Sequence, residues 1–137
     1  MLARQEIAGE NVGVQPYPHG ELVIVLDCLD LARSAAFWSA ALGYRSYGGA
    51  DGPYLSLHPT GSGPELLLQR VPEPKVTKNC VHLDLRTPDL AAEVARVVEA
   101  GATVLTSEPV EEDGWRWHIL ADPDGNELCV LQPPPGR

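Results

Sequence analysis

The stretch that decides the fold is ELVIVLDCLDLARSAAFWSAALGY, residues 21–44. Its first eight residues are mostly β-branched or aliphatic, which predicts a buried strand. Asp30 follows as a helix N-cap, because its carboxylate can accept hydrogen bonds from the first backbone N–H groups of a helix. Gly43 ends that helix. The apolar positions between these two residues recur at helical spacing: Leu31, Ala35, Trp38 and Leu42.

The same pattern continues on both sides of a connection at residues 72–79. In the first half, residues 44–49, 54–58 and 64–71 predict three strands separated by Gly/Pro turns. In the second half the strand, the Asp89 cap and a helix ending at Gly101 come again. The predicted elements of the second half are a strand at 80–86, a helix at 90–102 with Leu90, Val94, Val97 and Val98 buried, and strands at 102–110, 115–121 and 126–132.

The two halves align as an internal duplication. Asp89 lies 59 residues after Asp30, and HPTG at 58–61 aligns with DPDG at 122–125. A two-residue insertion, residues 62–63, then aligns the last predicted strand of the first half with that of the second. The resulting pairs are Val23 with His82, Tyr54 with His118, Glu65 with Glu127, and Leu67 with Cys129. Self-similarity of this kind determines the fold class. We predict an α+β fold in which two βαβββ modules form a curled mixed sheet, a bowl or half-barrel, with the helices outside.

Length and composition limit the function. The 137 residues, 44% hydrophobic, suffice for one domain, with 10 basic against 19 acidic residues and a net charge of −9. An acidic chain of this kind is a poor match for nucleic acid, and no apolar run is long enough to span a membrane. Three cysteines without paired spacing, and no signal peptide pattern, favour the cytoplasm. The predicted parts are an N-terminal arm at 1–20, the domain at 21–132 (modules 21–71 and 80–132) and a tail at 133–137.

Three stretches give the chain a family resemblance: residues 25–44, residues 66–90, and GWRWHILADPDGNELCVL at 114–131. They resemble the vicinal oxygen chelate superfamily, which includes glyoxalase I, extradiol dioxygenases, bleomycin-resistance proteins and fosfomycin-resistance enzymes. The actinobacterial glyoxalase-like subgroup is the most similar. The resemblance implies paired βαβββ modules around a cavity. In metal-dependent members, four His, Gln or Glu ligands from the first and fourth strand of each module hold one divalent ion.

Carried over to this chain, those four ligand positions are Val23, Leu67, His82 and Cys129. Only His82 is a customary ligand of the family, so we expect no metal at the usual place. Two metal alternatives stay open: a divalent ion at shifted positions near His82 with the carboxylates Glu65 and Glu127, and a zinc ion on His82 and Cys129.

The candidate site residues follow from strand alternation. Glu127 lies two residues before Cys129, so both point to one face, about 7 Å apart. We predict His82 and Glu127 as catalytic candidates; the alternatives are a core histidine and an acid that serves its neighbouring turn. The predicted ligand-binding residues, with the alternative that they only pack or are solvated, are Glu65, Gln69, Tyr54, Trp115, Trp117 and His118.

Two functions remain open at this point. In the first, the protein binds a small organic molecule without a metal, as a homodimer of the bleomycin-resistance kind, and the missing ligands, the tryptophans and the acidic charge favour it. In the second, it is a lyase, isomerase or dioxygenase-type enzyme that uses His82 and Glu127, with or without a metal. Sequence alone names no ligand and leaves catalysis open.

Overall fold

The computed structural model describes residues 18–19, 21–49 and 51–136, and these residues divide between Pro72 and Glu73 into two compact units. Most of the predicted N-terminal arm lies outside the described residues. The first unit contains β1 (Val23–Cys28), α1 (Leu31–Leu42), β2 (Arg45–Tyr47), β3 (Tyr54–His58) and β4 (Glu65–Arg70). The second contains β5 (Leu83–Arg86), α2 (Leu90–Ala100), β6 (Thr103–Val104), β7 (Val110–Glu112), β8 (Trp115–Ala121) and β9 (Glu127–Gln132).

Asp30 and Gly43 determine where helix α1 begins and ends. The Asp30 carboxylate accepts a hydrogen bond of 3.0 Å from the Arg33 N–H, and Gly43 takes the left-handed conformation, with φ of 70°. The predicted apolar stripe is buried at Leu31, Ala35 and Trp38, and half-buried at Leu42. Helix α1 therefore presents one apolar face to its sheet.

The first sheet has the strand order β1-β4-β3-β2, with β1 parallel to β4 and the other pairs antiparallel. Burial alternates along β3 and β4: Leu55 and Leu57 are buried, as are Leu66 and Leu68. These leucines form one face of the sheet, on which α1 packs. The residues between them form the opposite face, called here the helix-free face of the first sheet.

The second unit repeats this arrangement. The Asp89 carboxylate caps α2 by accepting from the Ala92 N–H at 3.1 Å. The sheet order is β5-β9-β8-β6, with β7 also paired to β8 and β5 parallel to β9. Of the four predicted stripe residues of α2, Leu90 and Val97 are buried, Val94 is half-buried and Val98 is 41% exposed.

One predicted strand is wrong in its extent. Residues 102–110 form two short strands, β6 and β7, instead of one. Between them the Thr106 hydroxyl accepts from the Ile119 N–H at 3.2 Å, so a side chain replaces a backbone partner. Pro109 has no N–H to donate to a ladder. Together these two residues interrupt the edge of the sheet.

The side chain of Asp122, the first residue of the DPDG turn, stabilises that turn. The Asp122 carboxylate accepts from the N–H of Asp124 at 2.9 Å and from the N–H of Asn126 at 2.7 Å. The Asn126 amide donates to the other carboxylate oxygen at 3.1 Å. Such an Asx-type closure fixes the hairpin between β8 and β9.

The duplication is borne out in the ladders. Val23 pairs with Glu65 and Ile24 with Leu66; in the second unit Leu83 pairs with Leu128. β1 therefore pairs with β4 in the same register in which β5 pairs with β9, as the predicted alignment of the two halves requires. The fold class is confirmed as α+β, with the strands hydrogen-bonded in two sheets, neither of them closed. No helix among the described residues is long and apolar enough to cross a membrane.

Candidate functional site

The helix-free face of the first sheet carries three predicted ligand-binding residues. Tyr54 is paired with Gln69 across β3 and β4, and Ser56 is paired with Leu67. Glu65 lies on the same face, because it is two residues before Leu67. The structure therefore brings Tyr54, Gln69 and Glu65 to one surface.

A polar cluster on this face includes a residue that sequence reasoning missed. The Ser56 hydroxyl donates to Glu65 Oε2 at 2.5 Å, so it accepts from His58 Nε2 at 2.8 Å. Tyr47 meets the His58 ring edge to face, with the centroids 5.0 Å apart. The alternation of YLSLH indicates His58, because positions 54, 56 and 58 share a face. The cluster offers a ligand a carboxylate, an imidazole and a phenol ring.

The helix-free face of the second sheet, which is the face away from α2, is built in rows across the strands. One row contains Arg86, Leu131 and Trp117, which are neighbours in the β5, β9 and β8 ladders. Trp115 lies two residues before Trp117, and the Arg86 guanidinium stands 5.1 Å from its ring centroid. This is a cation–π distance. The predicted pair Trp115 and Trp117 thus forms an aromatic surface with a cation at one end.

A histidine, a carboxylate and a thiol lie together beside this row. Asp84 is paired with Cys129 across β5 and β9, and His82 Nδ1 lies 3.2 Å from Asp84 Oδ1. Cys129 is buried, and burial first, then the charge of Asp84, raises the pKa of its thiol above the ordinary value. Sequence reasoning missed Asp84, although HLDL places it on the face of His82 by strand alternation.

The side chain of Glu127 is occupied by the connection that precedes β5. Its carboxylate accepts from the Asn79 N–H at 3.2 Å and lies 3.7 Å from Lys75 Nζ. The Glu127 N–H in turn donates to the Asn79 side-chain oxygen at 3.5 Å. These contacts tie residues 75–79 to the start of β9, which gives Glu127 a structural task.

His118 lies on the opposite face of β8 from the two tryptophans. Its Nδ1 is 2.7 Å from the Thr106 hydroxyl. It lines a groove of about 500 Å³ between α2 and the strands. The structure therefore does not bring His118 together with Trp115 and Trp117.

The counterpart of Tyr54 is Trp117, and the expected match with His118 is wrong. Tyr54 pairs with Gln69 and Trp117 pairs with Leu131, in equivalent ladder positions. The loop at 59–64 is one residue longer than the loop at 122–126. The predicted two-residue insertion shifted the alignment of β3 and β8 by one residue, and one residue reverses the face of a strand.

The side chains at the family's four ligand positions do not fit its metal. Val23 and Leu67 have no donor atom, and Cys129 is a thiol where the family has His, Gln or Glu. Within the second unit, however, His82, Asp84 and Cys129 bring their ligand atoms within 4.8 Å of one another.

Comparison with known proteins places this fold in a family. The profile of the glyoxalase-like domain matches residues 23–131. Among curated proteins none shows significant similarity to the chain. The solved structures include TnmS3, described as an antibiotic binding protein from Streptomyces sp. CB03234. It is 26% identical, with a TM-score of 0.59, and the match covers 85% of this chain and 99% of that one.

Two further structures share the fold at lower identity. A glyoxalase/bleomycin resistance protein/dioxygenase family enzyme from Burkholderia phytofirmans PsJN is 17% identical, with a TM-score of 0.63 and coverage of 80% and 95%. The fosfomycin resistance protein FosX from Mesorhizobium loti is 13% identical, with a TM-score of 0.64 and coverage of 83% and 92%. Its profile match over residues 23–131 shows that the chain belongs to the glyoxalase-like domain family.

Proposed function

We propose that the protein binds a small aromatic molecule of the antibiotic class and that Trp115 and Trp117 contact it. The observation that carries this proposal is the aromatic surface on the helix-free face of the second sheet. Flat ligands stack on such rings, and stacked aromatic pairs gain roughly 0.5–1.5 kcal/mol beyond the apolar area that they bury. Arg86, which stands over Trp115, supplies a donor for a ligand oxygen at the edge of this surface.

The similarity to TnmS3 supports the same class of ligand. That protein is described as antibiotic binding, and the match covers nearly its whole length. Considered by itself, the helix-free face of the first sheet is a second candidate surface, on which Leu67 lies among Tyr54, Gln69 and the Ser56–His58–Glu65 cluster. Binding sites commonly combine an apolar surface with a few polar groups of this kind.

We favour binding over the enzymatic alternative because of Glu127. A general base must be able to reach the proton that it removes. The Glu127 carboxylate is engaged by Lys75 and by the Asn79 N–H. A ligand-binding role for the tryptophan surface needs no such group.

The same proposal includes a homodimer that acts in the cytoplasm. The odd number of cysteines supports a reducing compartment, and members of the bleomycin-resistance kind bind their ligands across a dimer. Light scattering of the purified protein tests the dimer directly. A monomer at all concentrations would remove that part of the proposal.

A fluorescence titration tests ligand binding. The protein is titrated with a panel of aromatic antibiotics that includes bleomycin, with the ring-free fosfomycin as comparator. We expect quenching of tryptophan emission by at least one aromatic member. Trp117→Ala should weaken that binding about tenfold or more, since anchor residues of this type contribute most of the affinity.

The matched control is His118→Gln, on the adjacent position and opposite face of β8. It should bind within about twofold of the unchanged protein. Equal losses in both variants would show that the tryptophan surface is not the contact. If no aromatic member binds, the proposed function fails.

A further inference from the structure

Three side chains with metal-ligating atoms lie close together where β5 begins beside β9. Asp84 and Cys129 are ladder partners, and His82, just before β5, has its Nδ1 3.2 Å from Asp84 Oδ1. One nitrogen, one oxygen and one sulfur lie within 4.8 Å of one another. All three residues belong to the second unit, so the cluster is complete within it.

The separations suit a small tetrahedral cation. Zinc bonds of about 2.0–2.3 Å at tetrahedral angles place ligand atoms roughly 3.3–3.8 Å apart. His82 Nδ1 and Asp84 Oδ1 are already 3.2 Å apart. The side chains of His82 and Asp84 are both 42% exposed, so they can rotate to bring separations of up to 4.8 Å into that range. Cys129 is fixed by burial, and the two exposed ligands can adjust to it.

The local charge also favours a cation. The Asp84 carboxylate lies close to the Cys129 sulfur, because the ligand atoms of these two residues are within 4.8 Å of each other. A thiolate formed there without a counter-ion lies beside a carboxylate in a partly desolvated site. A divalent ion removes that conflict by neutralising both groups.

We propose that His82, Asp84 and Cys129 form a zinc site with a fourth coordination position open to water or to a ligand. When the ion binds, the Cys129 thiol loses its proton to solvent and the sulfur bonds to zinc as a thiolate. A set of nitrogen, sulfur and oxygen ligands is typical of zinc among the common divalent ions.

This ligand set differs from the one that the superfamily uses. His82 and Cys129 occupy two of the four family positions, but the other two positions are aliphatic here, and the third ligand, Asp84, is at none of the four. The site does not depend on the proposed binding of an aromatic molecule. It can be tested with metal alone.

Cobalt titration of the full chain, freed of metal by chelator and dialysis, tests the site. Co²⁺ enters tetrahedral zinc sites, and a thiolate ligand gives it a charge-transfer absorption in the near ultraviolet. We expect this band to saturate at one ion per chain and to disappear when Zn²⁺ is added. Cys129→Ser should abolish the band. Asp84→Asn and His82→Gln should each weaken Co²⁺ binding about tenfold or more.

The control is Cys80→Ser, which changes an exposed thiol of the same unit. It should leave band and affinity unchanged. The proposal is overturned if no thiolate band appears, if the band survives in Cys129→Ser, or if Asp84→Asn binds Co²⁺ like the unchanged protein. Because His82 and Asp84 are exposed, their variants remain decisive even where Cys129→Ser folds poorly. Circular dichroism of each variant verifies its fold.

Discussion

At the scale of single residues, Ser34 is a buried hydroxyl inside the apolar face of α1. It has no accessible surface, and its Oγ makes no hydrogen bond among the described residues. An unsatisfied buried hydroxyl costs about 1–3 kcal/mol. We predict that Ser34→Ala raises the free energy of unfolding in urea by about 1–2 kcal/mol. Ser39→Ala, in the same helix but half-buried, should gain only the helix propensity, about 0.5 kcal/mol. Equal gains would contradict the argument.

Tyr44 gives a second prediction, with a defined dependence on pH. Its hydroxyl donates to the Pro64 carbonyl at 2.9 Å, so Tyr44→Phe should cost about 0.5–1 kcal/mol at neutral pH. Burial raises the pKa of the Tyr44 phenol above its ordinary 10.0. The unfolded chain therefore ionises first, and the stability that Tyr44 contributes is present below pH 10 and is lost as pH rises through the folded pKa.

Urea unfolding of the unchanged protein and of the Tyr44→Phe variant, from neutral to alkaline pH, measures this difference. The gap in unfolding free energy between the two proteins should be constant up to about pH 9 and shrink above pH 10. A gap that widens with pH would mean that the folded state stabilises the phenolate instead.

For single residues, the alternation of side chains along a strand made it possible to predict which of them share a face. Alternation correctly put Glu65 and Gln69 on one face, and it could have identified Asp84 and His58. It could not reveal that Glu127 binds Lys75 and Asn79, since those contacts depend on where the connection runs. The predicted face of His118 was wrong because the alignment of the two turns was in error by one residue. A shift of one residue exchanges the two faces of a strand.

At the scale of elements, the helices were predictable because their signals are local. Asp30 and Asp89 each cap their helix by a bond to the N–H three residues on. The division of residues 102–110 into β6 and β7 was not predictable in the same way. It depends on Thr106, which reaches across to the Ile119 N–H of another strand.

The turn between β7 and β8 carries a prediction for Gly114. Its φ is 84°, and a Cβ at this position would stand 2.9 Å from Pro134 Cβ. Gly43 has a similar φ of 70° but open space around it. Gly43→Ala should therefore cost only the left-handed strain, about 1 kcal/mol. Gly114→Ala should cost at least about 2 kcal/mol, because the clash with Pro134 adds to the strain. Thermal unfolding of both variants measures this; equal costs would mean that residues 133–136 move aside freely.

At the scale of the whole molecule, the two units keep one backbone plan but different helix-free faces. The first carries the Ser56–His58–Glu65 cluster, and the second carries the tryptophans and the His82–Asp84–Cys129 group. Ladders and caps preserve the duplication, while the side chains between them have diverged. A duplicated scaffold therefore specifies the fold and leaves chemistry to individual positions.

The net charge of −9 gives the last prediction, at the same scale. A cationic aromatic antibiotic should be drawn to this protein over a distance set by salt screening, about 30 Å at 0.01 M and 8 Å at 0.15 M ionic strength. Its association rate constant, measured by stopped-flow quenching of tryptophan emission, should fall several-fold over that range. A neutral aromatic member of the panel should show little change, because stacking on Trp115 and Trp117 is not screened. If the neutral and cationic ligands respond alike to salt, the acidic surface has no part in recognition and binding rests on the aromatic surface alone.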